Sequence, residues 1–259
     1  MCGKIALGSD VLIVLEDGKR RVIKFTGQKV ETHKGTISAD LLDGSEYGTR
    51  VVMNTGKSAY LLEPVVVDYL PKFSRRTQIM YPKEMGYVIL KMGIGPGSKV
   101  LEGGTGSGGS TSIIANAVGP SGKVVSYDVN PESIKVASAN LRRLGLLERV
   151  ELRLGDVSDV PEISAYDCTL LDLAEPIGSL PKIWGSLKPS GRIAFSSPTY
   201  NQLERLASDL HRSGFIHLET VDIWCSDLQL RREAVRPRPL VRGHNTFITL
   251  AAKIAQSDD

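Results

Sequence analysis

Two rhythms of apolar and polar positions divide this chain. Up to residue 71, short apolar runs are separated by turns: Val11 to Leu15, Arg21 to Phe25, Arg50 to Met53 and Ala59 to Leu62. Glu16-Asp17-Gly18-Lys19 reads as a hairpin turn, and Gly35, Gly44, Gly48 and Gly56 mark further breaks. Short runs at this spacing predict a small barrel-like, all-β domain over 1–71. From Lys99 onward the pattern changes. Apolar runs at 99–103, 123–127, 149–154, 167–172 and 191–196 predict strands, and segments 109–118, 131–144, 178–186 and 199–213 between them predict helices. That alternation predicts an α/β domain over 99–259, its sheet mostly parallel with helices on both faces. The end departs from it, because Ile216 to Trp224 and Asn245 to Ala252 both read as strands with no full helix between them. They predict a terminal antiparallel hairpin completing a seven-stranded sheet. Residues 72–98 read as a linker and lead-in helix.

Chemistry gathers at the predicted strand ends. The first strand ends in Glu102, followed by Gly103-Gly-Thr-Gly-Ser-Gly-Gly109 and a helix-compatible stretch. A strand turning tightly into a helix exposes backbone N–H groups, and glycines let a ligand approach them. Gly104, Gly106 and Gly109 alone satisfy a dinucleotide fingerprint. Glu102 alters that reading, since it would repel a pyrophosphate but favour an ammonium such as that of S-adenosylmethionine. The second strand ends in Asp128, within reach of ribose hydroxyls, which suits NAD and S-adenosylmethionine equally. The third ends before Asp156, an acceptor for the adenine amino group. Gln78, Thr105, Ser107, Gly108, Val129 and Val157 complete the expected cofactor set. A parallel sheet with a terminal antiparallel hairpin is the class I, Rossmann-like methyltransferase architecture rather than that of a dehydrogenase.

Asp172 follows the fourth strand, where open α/β sheets bind ligands. It is either a carboxylate facing the methyl acceptor or an N-cap for a helix after Pro176. Beyond the fifth strand, Tyr200, Asn201 and Gln202 stand at the same rim, and the two amides suit reading a base edge. Helix-start chemistry would equally explain Ser197 and Thr199. Tyr81, in an extended segment before Pro82, suits stacking on a base or serves an interdomain core.

Composition narrows the classes. With 259 residues and 41% hydrophobic content the chain can bury a sizeable core. A net charge of +3 permits a polyanionic partner without requiring one. Cys2, Cys168 and Cys225 form no CxxC pair, and the four histidines show no metal spacing, so no metal is expected. No run of about 18 apolar residues is present, the first residues show no secretory h-region, and the expected location is the cytoplasm. Arginines crowd positions 231, 232, 236, 238 and 242. Arg236-Pro-Arg-Pro239 predicts a loop, with Arg236 and Arg238 gripping RNA phosphates or forming a solvated face.

Four segments resemble the archaeal and bacterial tRNA (adenine-N1-)-methyltransferase family, TrmI. They are Thr32-His-Lys-Gly-Thr-Ile37, Gln78-Ile-Met-Tyr-Pro-Lys83, Glu102 to Gly109, and Arg236-Pro followed by Gly243-His-Asn-Thr-Phe247. The resemblance runs through nearly the whole chain in the same order. It implies a small β domain joined to a class I methyltransferase domain, a homotetramer, S-adenosylmethionine as cofactor and tRNA as substrate. The implied product is methylated at N1 of the T-loop adenosine at position 58, with the neighbouring position 57 a second target in some archaeal members. Asp172 then matches the family's catalytic aspartate and Tyr81 its active-site tyrosine, with His244 in the substrate set. The chain departs from the family in Asp172-Leu-Ala174, where proline is common at the third position, and in Glu84 after Tyr-Pro-Lys. Alternatives are a class I enzyme acting on a protein or small molecule, such as isoaspartyl repair, and a non-catalytic tRNA-binding paralogue.

Overall fold

The computed structural model describes residues 3–73, 79–231 and 234–255, with the backbone alone at 211, 231, 234 and 238–242. The expected cofactor residue Gln78 lies outside the described residues. The chain divides into two compact units, 1–72 and 73–259.

The first unit contains β1 (Asp10–Leu15), β2 (Arg20–Lys24), β3 (Val30–Thr32), β4 (Gly35–Ile37), β5 (Thr49–Val52), β6 (Ser58–Leu62) and the short α1 (Val66–Tyr69). An antiparallel sheet runs in the order β2-β1-β6-β5, and β3-β4 is a separate ribbon. Val11, Ile13, Phe25, Ile37, Leu42 and Leu61 form its core. At the β1–β2 turn Gly18 takes φ +80° and donates to Leu15 C=O at 2.8 Å, a conformation that a β-carbon would strain. His33 Nε2 lies 2.7 Å from Asp17 Oδ2 and ties the tips of the two hairpins together.

The second unit begins with α2 (Pro82–Met92). It continues through β7 (Lys99–Gly103), α3 (Gly109–Val118), β8 (Lys123–Asp128), α4 (Pro131–Arg143), β9 (Val150–Leu154) and β10 (Tyr166–Leu171). Then come α5 (Leu180–Ser186), β11 (Leu187–Ser197), α6 (Tyr200–Leu210), β12 (Phe215–Asp222), β13 (Cys225–Arg231), β14 (Ala234–Arg242) and β15 (Phe247–Lys253). Seven strands form one sheet in the order β12-β15-β11-β10-β7-β8-β9. β7 to β11 run parallel, and β15 pairs antiparallel with both β11 and β12. The central strands carry continuous apolar runs because both faces are covered: Val100, Leu101, Leu170, Leu171, Ile193 and Phe195 are fully buried. α4 shows how the helices start, with Asn130 capping Glu132 N–H at 2.9 Å and Pro131 at the first position.

The seven-stranded α/β fold with its antiparallel end is as expected from the sequence. The arginine-rich segment is not the expected loop. β13 and β14 pair as a two-stranded ribbon between β12 and β15. Prolines are tolerated there because the outer edge of a two-stranded ribbon has no ladder to satisfy.

Candidate active site

β7 has β10 on one side and β8 on the other, so the connections leave it in opposite directions and a crevice opens at the strands' carboxyl ends. A cavity of about 440 Å³ lies there. Of the residues expected to hold a cofactor, its wall includes Gly104, Thr105, Gly106, Ser107, Gly109, Asp128, Val129, Asp156, Val157 and Asp172. Gly108 and Glu102 stand behind the wall. Ile79, Tyr127, Asn130, Ser133, Leu173, Ala174 and Pro198 also line it. Most of these adjoin a residue that the pattern did single out, and that adjacency was the only signal for them.

The glycine loop is shaped by close approach. Gly104 has φ +94°, and a β-carbon there would lie 2.4 Å from the carbonyl oxygen of Asp172. Asp172 N–H in turn donates to Gly103 C=O at 2.9 Å, so the ends of β7 and β10 are fastened side by side. Gly106 N–H donates to Asp128 Oδ2 at 2.8 Å and Asn130 N–H to Oδ1 at 2.9 Å, which fixes that carboxylate at the cavity edge. Asp156 accepts from Ser158 N–H at 2.8 Å, and the Ser158 contacts hold its carboxyl below the ordinary range.

Glu102 is wholly buried. Its Oε2 accepts from Thr111 Oγ1 at 2.6 Å and Ser126 Oγ at 2.5 Å, while Oε1 has no hydrogen-bond partner among the described residues. Burial pushes its carboxyl up to about 7 against the lowering effect of the two hydroxyls, and Asp172 and Asp128 push it the same way. The buried Ser107 Oγ likewise lacks a partner among the described residues. An unpartnered carboxylate oxygen and an unpartnered hydroxyl beside one cavity fit a ligand with a cationic, hydrogen-bonding tail.

Asp172 does not cap a helix: α5 starts at Leu180 with Ser179 before it. Burial raises its carboxyl above the ordinary range, and the Ser196 hydroxyl partly offsets this. Tyr81 is the half-buried residue immediately before α2, set by Pro82 at the first helical position, and it is not on the cavity wall.

The residues expected to meet the substrate separate into three groups. Gln202 is committed to structure: its side chain accepts from Thr199 N–H and Oγ1 at 3.2 and 3.0 Å, and donates to Ala174 C=O at 3.2 Å. It therefore starts α6 and pins the loop after Asp172, which is the helix-start reading. Asn201 is exposed beside it. The second group is aromatic. Tyr200, 71% exposed, packs on Phe247 at 4.7 Å between centroids, and His244 packs on the same ring at 4.3 Å. Both His244 nitrogens face acceptors, Nε2 lying 2.9 Å from Pro198 C=O and Nδ1 3.3 Å from Asp222 Oδ1. The Pro198 carbonyl, then Asp222, raise its pKa. The third group is the ribbon. Its register sets Leu228 opposite Pro237 and Leu230 opposite Val235 on one face, with Gln229 opposite Arg236 on the other. Leu228, Leu230 and Val235 are 57%, 78% and 66% exposed. Arg236 is exposed and its Nε lies 3.4 Å from Gln229 Oε1, and Arg238 follows two positions on in β14.

Residues 57–253 match the family model described as "tRNA methyltransferase complex GCD14 subunit". The chain is 32% identical over 266 residues to the tRNA (adenine(57)-N(1)/adenine(58)-N(1))-methyltransferase TrmI of Methanocaldococcus jannaschii, covering 93% of each chain. It is 30% identical to the tRNA (adenine(58)-N(1))-methyltransferase TrmI of Thermus thermophilus, covering 91% of this chain and 94% of that one. Among solved structures it resembles the tRNA (m1A58) methyltransferase TrmI of Aquifex aeolicus, with TM-score 0.88 and 26% identity over 98% of this chain and 100% of that chain. It also resembles a SAM-dependent O-methyltransferase of Thermotoga maritima, with TM-score 0.90 and 29% identity over 99% and 97% of the two chains.

Proposed function

As this chain belongs to the tRNA methyltransferase complex GCD14 subunit family, we propose that it methylates N1 of adenosine in the T loop of tRNA with S-adenosylmethionine. The target is position 58, with the adjacent position 57 a second one, following the relatives' names. The observation that carries the reading is the cavity at the carboxyl ends of β7 to β10, in which a glycine cradle and the half-buried Asp172 meet.

The residues fit the cofactor. Glu102 and Ser107, each with an unpartnered buried oxygen, would serve its methionine tail, Asp128 its ribose hydroxyls and Asp156 its adenine amino group. When bound, S-adenosylmethionine supplies an electrophilic methyl group on a sulfonium. Neutral adenine already has a lone pair at N1, so no side chain has to remove a proton from the nucleophile. The protein's part is alignment and charge. Asp172 accepts from the N6 amino group, orients N1 and offsets the positive charge that grows on the purine. N1 lies on the Watson–Crick edge, so the base has to be unpaired and turned out of the T loop, with Tyr81 and exposed Tyr200 as surfaces for it. Arg236, on the polar face of the ribbon, and Arg238, two positions on, grip phosphates. The opposite face, with Leu228, Leu230 and Val235 uncovered, serves self-association into the homotetramer. The enzyme works on tRNA in the cytoplasm.

The test is transfer of labelled methyl from S-adenosylmethionine to an unmodified tRNA transcript. Label should enter the wild-type transcript, fall when the position 58 adenosine is replaced and be lost when positions 57 and 58 are both replaced. Equal labelling of a protein extract and none of tRNA would favour the protein or small-molecule reading. A non-catalytic tRNA-binding subunit would bind the transcript and transfer nothing.

A further inference from the structure

Two of the segments that give this sequence its resemblance, Tyr81-Pro-Lys83 and Gly243-His244, are 160 residues apart and meet through one buried cation. Lys83 sits in the first turn of α2, with its side chain 10% exposed. Its ammonium donates to two backbone carbonyls, that of Ile223 and that of Gly243 at 2.9 Å, and pairs with the fully buried Glu84 at 2.9 Å. Ile223 lies between β12 and β13, and Gly243 directly follows β14. Lys83 therefore holds both roots of the β13–β14 ribbon at once. The roots also touch each other, since a β-carbon on Gly243 would lie 3.2 Å from the Trp224 ring. His244, next to one root, meets Asp222, next to the other, and also Pro198 on the cavity wall.

A two-stranded ribbon is marginal by itself, and among the described residues this one pairs with no other strand. Its direction must be set at its base. Burying an ammonium there is unfavourable unless its protons and its charge are met; the two carbonyls accept from it, and the Glu84 carboxylate lies beside it as countercharge. We infer that Lys83 is a positioning residue for the macromolecular substrate: it fixes the ribbon to the helix that begins beside Tyr81, so that RNA gripped by the ribbon is held in register with the acceptor pocket. The inference rests on the reading of the ribbon as an RNA grip. It assigns Lys83 no contact with RNA or cofactor.

Removing Lys83 alone would strand the buried Glu84, so the test uses the paired variant Lys83→Met/Glu84→Gln, with Glu84→Gln alone as its control. In the paired variant KM for tRNA should rise roughly tenfold or more, because a ribbon free to turn at its base no longer presents its phosphate contacts while the base is in the pocket. S-adenosylhomocysteine affinity and single-turnover rate at saturating tRNA should stay within about twofold, a smaller change than one misplaced contact produces. Amide exchange should quicken across 225–242 and stay slow in the seven-stranded sheet. Glu84→Gln, which keeps both carbonyl contacts but leaves the ammonium without its carboxylate, should lower the melting temperature while KM for tRNA and exchange across 225–242 stay within about twofold of wild type. An unchanged KM for tRNA, a parallel loss of cofactor affinity, or failure of the paired variant to fold would each overturn the inference. Arg236→Ala separates it from its premise. If that variant weakens tRNA binding while the paired variant does not, the positioning role fails and the RNA grip stands; if neither does, the RNA grip itself fails.

Discussion

Asp172 and Glu102 are both acids raised by burial, yet they stand in different surroundings and should respond to different experiments. Asp172 has the Ser196 hydroxyl to offset its burial and lies on the cavity wall. Asp172→Asn keeps the size and an acceptor oxygen but deletes the charge. Single-turnover methylation should slow by about 10²–10³, as for loss of one preorganised electrostatic partner, and Asp172→Ala should be no faster. Wild-type rates in Asp172→Asn would reduce the carboxylate to a positioning acceptor. For Glu102, burial favours the neutral carboxyl in the free protein, up to about pH 7. Its contribution to folding stability is thus full below the ordinary carboxyl pKa of about 4.5 and is lost as pH rises through 7. A cofactor ammonium needs the opposite form. S-adenosylhomocysteine affinity should therefore rise roughly tenfold from pH 6 to pH 8, with proton release visible as buffer-dependent heat in calorimetry. A flat affinity over that range would mean that Glu102 does not meet the ammonium. These acids were legible in the sequence because each follows an apolar strand. The roles of Gln202, His244 and Lys83 were not, because their partners lie 28, 46 and up to 160 residues away.

Among the elements, the ribbon of β13 and β14 is where sequence and structure part most. Arg-Pro-Arg-Pro suggested a loop because proline removes a ladder donor, but a two-stranded ribbon leaves its outer N–H groups unpaired in any case. Alternation then sorts its residues into two faces, which a loop would not have done. Each face can be tested separately. Arg236→Ala should weaken tRNA binding and reduce the slope of log affinity against log salt by roughly one per lost phosphate contact, leaving S-adenosylhomocysteine affinity unchanged. Leu228→Asp/Leu230→Asp, on the apolar face, should lower the molar mass seen by light scattering. An unaltered salt slope for the first variant would move Arg236 from RNA to an interface between copies. An unaltered mass for the second would leave the apolar face without its assigned occupant. The parallel strands were easier to read, since strands covered on both faces appear as continuous apolar runs such as Ile193 to Phe195.

At the scale of the whole molecule, a seven-stranded sheet brings the loops that follow β7 to β11 to one crevice, and the acceptor side is built from residues on both sides of the cofactor loop in the chain, Tyr81 and α2 before it and Asp172 onward after it. Sequence order alone made the sheet and the cofactor loop readable, because both are assembled from consecutive strand–loop–helix units. The acceptor side depends on α2, the end of β11 and the turn before β15, which only the closed fold brings near one another. The fold is shared with a SAM-dependent O-methyltransferase as well as with a tRNA (m1A58) methyltransferase, so the decisive measurement concerns the atom that receives the methyl group. An unmodified tRNA transcript should be incubated with the protein and S-adenosylmethionine, digested to nucleosides and resolved by mass spectrometry, with T-loop fragments analysed in parallel. The expected result is 1-methyladenosine confined to the T-loop fragment and reduced to background in Asp172→Ala. A 2′-O-methylated nucleoside, a methylated base outside the T loop, or no methylated nucleoside at all would contradict the account.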